Sequence, residues 1–346
     1  MALIAPSAQA APTLVGNARN VYTVGIDGNN FYWTDGLQIT RLDIATGASS
    51  VIFRAGSHTQ VIEIEAGGGT LAYVTVKSSK TRATTRASIY SAAGNQTRTA
   101  ATAIAKIFGH QPACGSSIEA GEVTDGGEAL LIRDTFSLNK KKCHKPLSLK
   151  SNVTAESPAA SRFLFAGSYA NGNPLQKLGL IFNADLSGSS LLLSGTAVGT
   201  LDLAGGQFTL LTPERRNTIA IGQFDRFGNV LQTLLKGSKP LGTTSLLNAE
   251  SGFTTATPVE ANAQGVVYAP CGDYLLRSKY DLKSGQTSGI SATPNPLNAS
   301  GLVPTNPWPA STQSLFSSSC DATNAAFAVS NPSGSGQLLY VSALAG

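Results

Sequence analysis

With 346 residues, 13% of them charged, 36 glycines and a formal net charge of +5, the chain is apolar enough to bury a core and is no candidate for disorder. Strong helix formers are sparse outside short Ala clusters, which excludes a helical bundle, and the length exceeds one ordinary domain unless the fold is a repeat or a large β architecture. No segment holds the ~20 apolar residues that span a bilayer as a helix.

The amino terminus, MALIAPSAQAAPTLVG, pairs a short apolar run with the small-x-small string Ser7-Ala8-Gln9-Ala10-Ala11. Residues 1–11 are therefore expected to be a signal-peptide remnant cut after Ala10 or Ala11, or else a flexible Ala-rich tail. The missing basic region is expected if Met1 lies inside a longer signal. Residues 12–346 are then expected to form a single domain, opening on a strand-like segment, PTLVGNA.

From there an apolar strand recurs after a tight turn. Its copies start at Phe31 (FYWT), Leu71 (LAYV), Ala129 (ALLI), Phe163 (FLFA), Phe208 (FTLL), Val266 (VVYA) and Ala325 (AAFA), at a mean interval of 49 residues. That spacing matches a four-stranded propeller blade with room for loops. Turn residues tolerant of positive φ precede the strands, among them Asp27-Gly28, Gly67-Gly68-Gly69, Asp125-Gly126-Gly127, Gly205-Gly206 and Gln264-Gly265. A second Gly turn follows at Gly47, Gly94, Gly188, Gly228 and Gly285. The pattern predicts an all-β fold, a β-propeller of four-stranded A–B–C–D meanders with seven blades, or six if the third and fourth merge. The third blade lacks its second turn and the fourth a clear first strand. The last unit supplies three strands, so PTLVGNA is expected to complete it and close the ring.

FYWTDG resembles the YWTD propellers of low-density-lipoprotein-receptor type, over one blade only; the equivalent strands read LAYVTV, LLIRDT, TLLTPE and VVYAPC. The longer stretch GIDGNNFYWTDGLQITRLDIATG is similar to secreted bacterial propellers of the TolB or SMP-30 type. The resemblance implies a propeller and carries no family function.

Linear enzyme motifs (GxSxG, HExxH, a P-loop, an EF-hand loop) are absent, as is a clean Asp box. GGGTLA at Gly67 precedes a strand rather than a helix and reads as a hairpin turn. His58, His110 and His144 are few for a metal centre, and no metal or cofactor is expected. The four cysteines allow three connectivities. The strand map favours Cys114–Cys143, which closes an irregular loop worth about 3 kcal/mol in the loop-entropy model; Cys271–Cys320 then follows by elimination. Glu63 and Glu65, or Glu119, Glu122 and Asp125, could reach the central channel from inner strands as an acid–base pair, or stand there as solvated strand residues.

Cation placement is the one non-random charge pattern. Lys77, Lys80, Arg82 and Arg86 are assigned to the B–C link of blade 2, Lys140, Lys141, Lys142 and Lys145 to that of blade 3, and Arg215 and Arg216 to that of blade 5. All B–C links leave a propeller on one face, so ten of the 25 Lys and Arg would rim it. The expected partner is an anionic polymer, glycan or lipid surface, or a protein ligand. Nucleic acid is not expected, because aromatics are not interleaved with the cations. The chain is expected to be a monomer, and sequons stand at Asn95, Asn152 and Asn298. An exported, non-catalytic binding or scaffold propeller is the leading expectation. The alternative is a glycan hydrolase, lyase or lactonase acting in the channel, which a cluster of inward acids would favour.

Overall fold

The computed structural model describes residues 12–137, 143, 149–168, 178, 181–212, 218–236, 239–261, 266–280, 287–297, 304, 315–321, 323–331 and 336–344. These residues form antiparallel meanders. The first contains β2 (Thr23–Asp27), β3 (Asn30–Thr34), β4 (Gln38–Asp43) and β5 (Ser49–Arg54). The second contains β6 (Thr59–Gly67), β7 (Thr70–Ser78), β8 (Arg82–Ser91) and β9 (Gln96–Phe108); the third, β10 (Gln111–Val123), β11 (Ala129–Ser137), β12 (Leu149–Glu156) and β13 (Ser161–Ser168). Next come β14 (Asn183–Ser187), β15 (Ser190–Ser194), β16 (Val198–Asp202) and β17 (Phe208–Leu210), then β18 (Thr218–Phe224), β19 (Val230–Lys236), β20 (Lys239–Leu247) and β21 (Ala256–Ala261). The sixth contains β22 (Val266–Cys271), β23 (Tyr274–Tyr280) and β24 (Thr287–Pro294), and the last β25 (Leu315–Cys320), β26 (Asn324–Ser330) and β27 (Gln337–Ala343).

First strands lie innermost. β2 touches β6 and β25, and β6–β10, β10–β14, β14–β18 and β18–β22 are likewise in contact. The expected closure is present: β1 (Thr13–Ala18) pairs antiparallel with β27, from Thr13 opposite Val341 to Ala18 opposite Gln337. The second and third meanders remain one sheet because β9 and β10 pair at their joined ends, Gln111 opposite Phe108. No helix among the described residues is long and apolar enough to cross a membrane.

Period-2 alternation on the second strands builds the core. In β3, Phe31 packs with Ala326, Ala328 and Leu339 of the last meander, while Tyr32 packs with Ile64, Leu71 and Tyr73 of the second. In β15, Leu191 and Leu193 join the third meander's Leu130 and Ile132, and Leu192 joins Ala220 and Val230 of the fifth. Each fully buried side chain of this size contributes about 1.5–3 kcal/mol. The YWTD string thus works locally. Trp33 lies edge-on to Phe31, with ring centroids 6.0 Å apart. Thr34 accepts the Gly36 amide at 3.0 Å, and Asp35 accepts those of Leu37 and Gln38, each at 2.8 Å.

Four of the seven recurring strands are second strands as expected, and three are not. Phe163 lies in β13 and Phe208 in β17, both fourth strands, and Val266 lies in β22, a first strand. The true second strands there are β15, β19 and β23. Gly188 and Gly228 accordingly sit in first-to-second turns, and Gly206 in the third-to-fourth turn β16–β17. The reason is physical. Both hairpin types place a glycine at positive φ, and the fourth strands β13 and β17 carry similar apolar runs although they lie at sheet edges. Gln264, Gly265 and Gly285 lie outside the described residues, as do residues 1–11.

Turns of the second and third meanders are in close contact at Gly68, φ +53°, where an added Cβ would strike the backbone of Asp125 and Gly127. Gly68→Ala is expected to cost roughly 2–4 kcal/mol, from left-handed strain plus overpacking. Urea unfolding checks this, and a loss below about 1 kcal/mol would contradict it.

Candidate functional site

The first-to-second turns of all meanders gather around one end of the central channel. They enclose a mouth of about 370 Å³ lined by Asp27, Glu122, Asp125, Asp185, Asp225 and Asp321, with Arg226 as its one described cation. Of the acids considered in the sequence, Glu122 on β10 and Asp125 in the turn after it line this mouth, while Glu63 and Glu65 stand on the first strand β6 and Glu119 on the first strand β10, outside that lining.

Most of these acids join one meander to the next. Asp321 accepts the Gly28 amide at 2.8 Å, and Asp27 accepts that of Gly69 at 2.7 Å. Glu63 accepts the Ala120 amide at 2.8 Å, and Asp185 that of Phe224 at 2.6 Å. Asp225, almost wholly buried, accepts the Asn229 amide at 2.9 Å and the side chain of Asn295 at 2.6 Å. Arg226 pairs with Asp273 at 2.9 Å. The ring is thus stitched near its axis by carboxylates receiving neighbouring N–H groups, which are among the stronger hydrogen bonds available.

The stitching changes the acids. Burial, with Asp321 and Asp125 nearby, raises the Asp27 carboxyl despite the amides of Gly69 and Gly68. Burial raises Glu122 well above the usual range, and Asp185 beside it adds to the effect. Both Asp185 oxygens already accept amides, from Leu186 and Phe224 at 2.6 Å each, so the shared proton belongs on Glu122. Gln223 donates to Glu122 at 3.2 Å. Burial and Glu63 push Glu65 up to about 8, and burial, Asp134 and Glu63 push Glu119 up to about 7. No histidine lines the mouth among the described residues. His58 lies in the β5–β6 link, His110 in the β9–β10 turn, and His144 outside the described residues.

Both expected disulfides are formed. Cys114–Cys143 has a Cα–Cα distance of 6.1 Å and Cys271–Cys320 one of 5.8 Å. Cys114 lies within β10 rather than before it, because that strand begins at Gln111. Cys271 and Cys320 end β22 and β25 at the same height and line the mouth together.

The cations stand at the opposite end. Lys77, Lys80, Arg82 and Arg86 are exposed on and around the β7–β8 hairpin. Lys77 lies opposite Thr84, Arg86 opposite Thr75 and Arg82 opposite Lys106. Directly paired residues, and residues two apart, share a face, so Lys77, Arg82, Arg86 and Lys106 project from one side of the sheet. None joins an ion pair among the described residues. That side faces β5, where Arg54 donates to Gln38 at 3.0 Å. Arg54, Lys77 and Arg86 line a groove of about 490 Å³ between the first two meanders. Lys140, Lys141, Lys142 and Lys145 fall between β11 and β12 as expected, but outside the described residues. Arg215 and Arg216 are also outside them, and the flanking strands β17 and β18 belong to two different meanders rather than one. Arg54 and Lys106 went unnoticed in the sequence; strand parity would have found Lys106, and nothing local marks Arg54.

No protein-family model matches the sequence, and no curated protein does. Solved structures match by shape. A chain of the mitotic checkpoint complex superposes with a TM-score of 0.55 at 13% identity, covering 98% of this chain and 97% of that one. The β-propeller domain of Myceliophteria thermophila Cps50 (Swd1) gives 0.51 at 9% identity, covering 95% and 99%. The acylaminoacyl peptidase of Pyrococcus horikoshii gives 0.59 at 8% identity over 94% of this chain, which spans about half (51%) of that enzyme. At these identities the likeness shows the β-propeller fold and nothing of function.

Proposed function

We propose that residues 12–346 form a single seven-bladed propeller that is exported, non-catalytic and of the secreted bacterial kind, and that it recognises an anionic cell-envelope or extracellular ligand. The observation that carries this reading is the separation of charge. Exposed cations of the β7–β8 hairpin have no carboxylate partner among the described residues. The acids at the opposite end are largely occupied in joining meanders. A cationic face without internal partners attracts polyanions over distances near the Debye length. Two disulfides suit an oxidising compartment.

Binding of labelled dextran sulfate across a salt series tests the reading. Affinity is expected to fall as salt rises, and to weaken several-fold or more when Lys77, Lys80, Arg82 and Arg86 are all changed to Gln. Absent or salt-independent binding, or an unchanged quadruple variant, overturns it.

One observation favours the second reading, an enzyme acting in the channel. Glu65 and Glu119 receive no hydrogen bond among the described residues, and their carboxyls are pushed up to about 8 and about 7, the range of a general acid at neutral pH. Turnover of a glycan or lactone, lost in Glu65→Gln, would establish it.

A further inference from the structure

We infer that the groove between the first two meanders is the seat of this recognition and that it takes an acid-bearing saccharide chain, sulfated or uronic. The inference rests on the anionic-ligand reading and adds the site and the chemistry. The groove is recessed and about 490 Å³ in volume, within the range of pre-formed ligand sites.

Its walls combine three features that a charged sugar needs together. Arg54 stands on one side and Lys77 and Arg86 on the other, with no carboxylate among the described lining residues. Hydroxyls flank the cations: Thr59 and Thr84 stand opposite Lys77 on either side and Thr75 opposite Arg86, as partners for ring hydroxyls. An apolar floor is supplied by the half-buried Phe53, whose ring is held against that of the buried Tyr73 with centroids 5.0 Å apart.

The cations form a row rather than a point. Arg86 and Lys77 stand one two-residue step apart along one sheet face, about 7 Å, with Arg54 across the groove from them; Arg82 and Lys106 continue the line beyond the groove and are not part of the site. A row suits a polymer with repeated anionic groups better than a single phosphate. A lipid surface is disfavoured because the lining is concave. A single-stranded nucleic acid is disfavoured because, Tyr73 being only 3% exposed, Phe53 is the one accessible aromatic ring among the described lining residues, whereas successive bases need successive stacking platforms.

The test compares charge-matched pairs by titration with a dextran sulfate oligosaccharide, unsulfated dextran of equal length, oligo-dT and phosphatidylserine vesicles. Lys77→Gln/Arg86→Gln removes groove cations, and Lys80→Gln/Arg82→Gln removes cations at the hairpin tip outside the groove. Neither pair breaks an ion pair among the described residues, so melting curves are expected to stay unchanged. The inference expects selective binding of sulfated over neutral dextran, weakened roughly 10-fold or more by the groove pair and only a few-fold by the tip pair. Equal losses in the two pairs would overturn the groove while sparing the cationic face. Binding of vesicles or oligo-dT as tight as that of dextran sulfate would overturn the saccharide class. No binding of any polyanion would overturn both readings.

Discussion

Asp185→Ala is expected to destabilise the protein by about 3–5 kcal/mol, the usual effect of removing one partner from a buried charged network. Asp185 is only 5% exposed and holds the amides of Leu186 and Phe224 as well as the proton shared with Glu122. Its loss leaves the Phe224 N–H without its acceptor and Glu122 without its partner, where the third, fourth and fifth meanders meet. A fall in Tm on the order of 5–10 °C follows for a chain of this size. Asp185→Asn, which keeps one acceptor oxygen, is expected to recover about half. A change in Tm within error for the alanine variant would show that these acids do not carry the joint.

The second large effect is on pH. Glu65, Glu119 and Asp134 have carboxyls pushed up to about 8, 7 and 6, burial being the largest cause in each case. Between pH 5 and 8 the folded chain therefore holds protons that the unfolded chain has released. The stability linked to these protons is fully present below the unfolded values of 4.5 for Glu and 3.8 for Asp. It is lost as pH rises through 6, 7 and 8. Melting at pH 5.5, 7.0 and 8.5 should accordingly give a falling Tm, and Glu65→Gln should flatten the upper half of that fall. A Tm that rises across this range would contradict the protonated channel wall.

Much of the architecture was legible in the chain. Apolar runs of strand length, Gly turns and PTLVGNA led to the meanders and to the β1–β27 closure, because alternation and turn chemistry are local properties. Register from the end of the third meander to the sixth was not legible, whereas Ala325 of the last meander lies on a second strand as expected. Phe163 and Phe208 look like second strands because these edge strands carry similar apolar runs although Phe163 is largely exposed, and Gly188 and Gly206 meet the same φ requirement in different hairpins. The acids on β6 and β10 could be placed at the channel. Their work could not, since the partners of Asp27, Asp185 and Asp225 include the Gly69 and Phe224 amides and the Asn295 side chain, each contributed by the next meander in the ring. An Asp recurring at the first-to-second turn was the available signal. The groove is likewise non-local: Arg54 and Lys77 meet only because two meanders pack side by side.

Hydrogen–deuterium exchange of the wild-type chain, with and without a dextran sulfate oligosaccharide, tests the central claim most directly. Bound oligosaccharide is predicted to slow exchange in β7, β8 and the outer part of β9 and to be recovered at its original length. Protection confined to the turns around Asp27, Asp125, Asp185 and Asp225, or a shortened oligosaccharide, would contradict a non-catalytic cationic binding face.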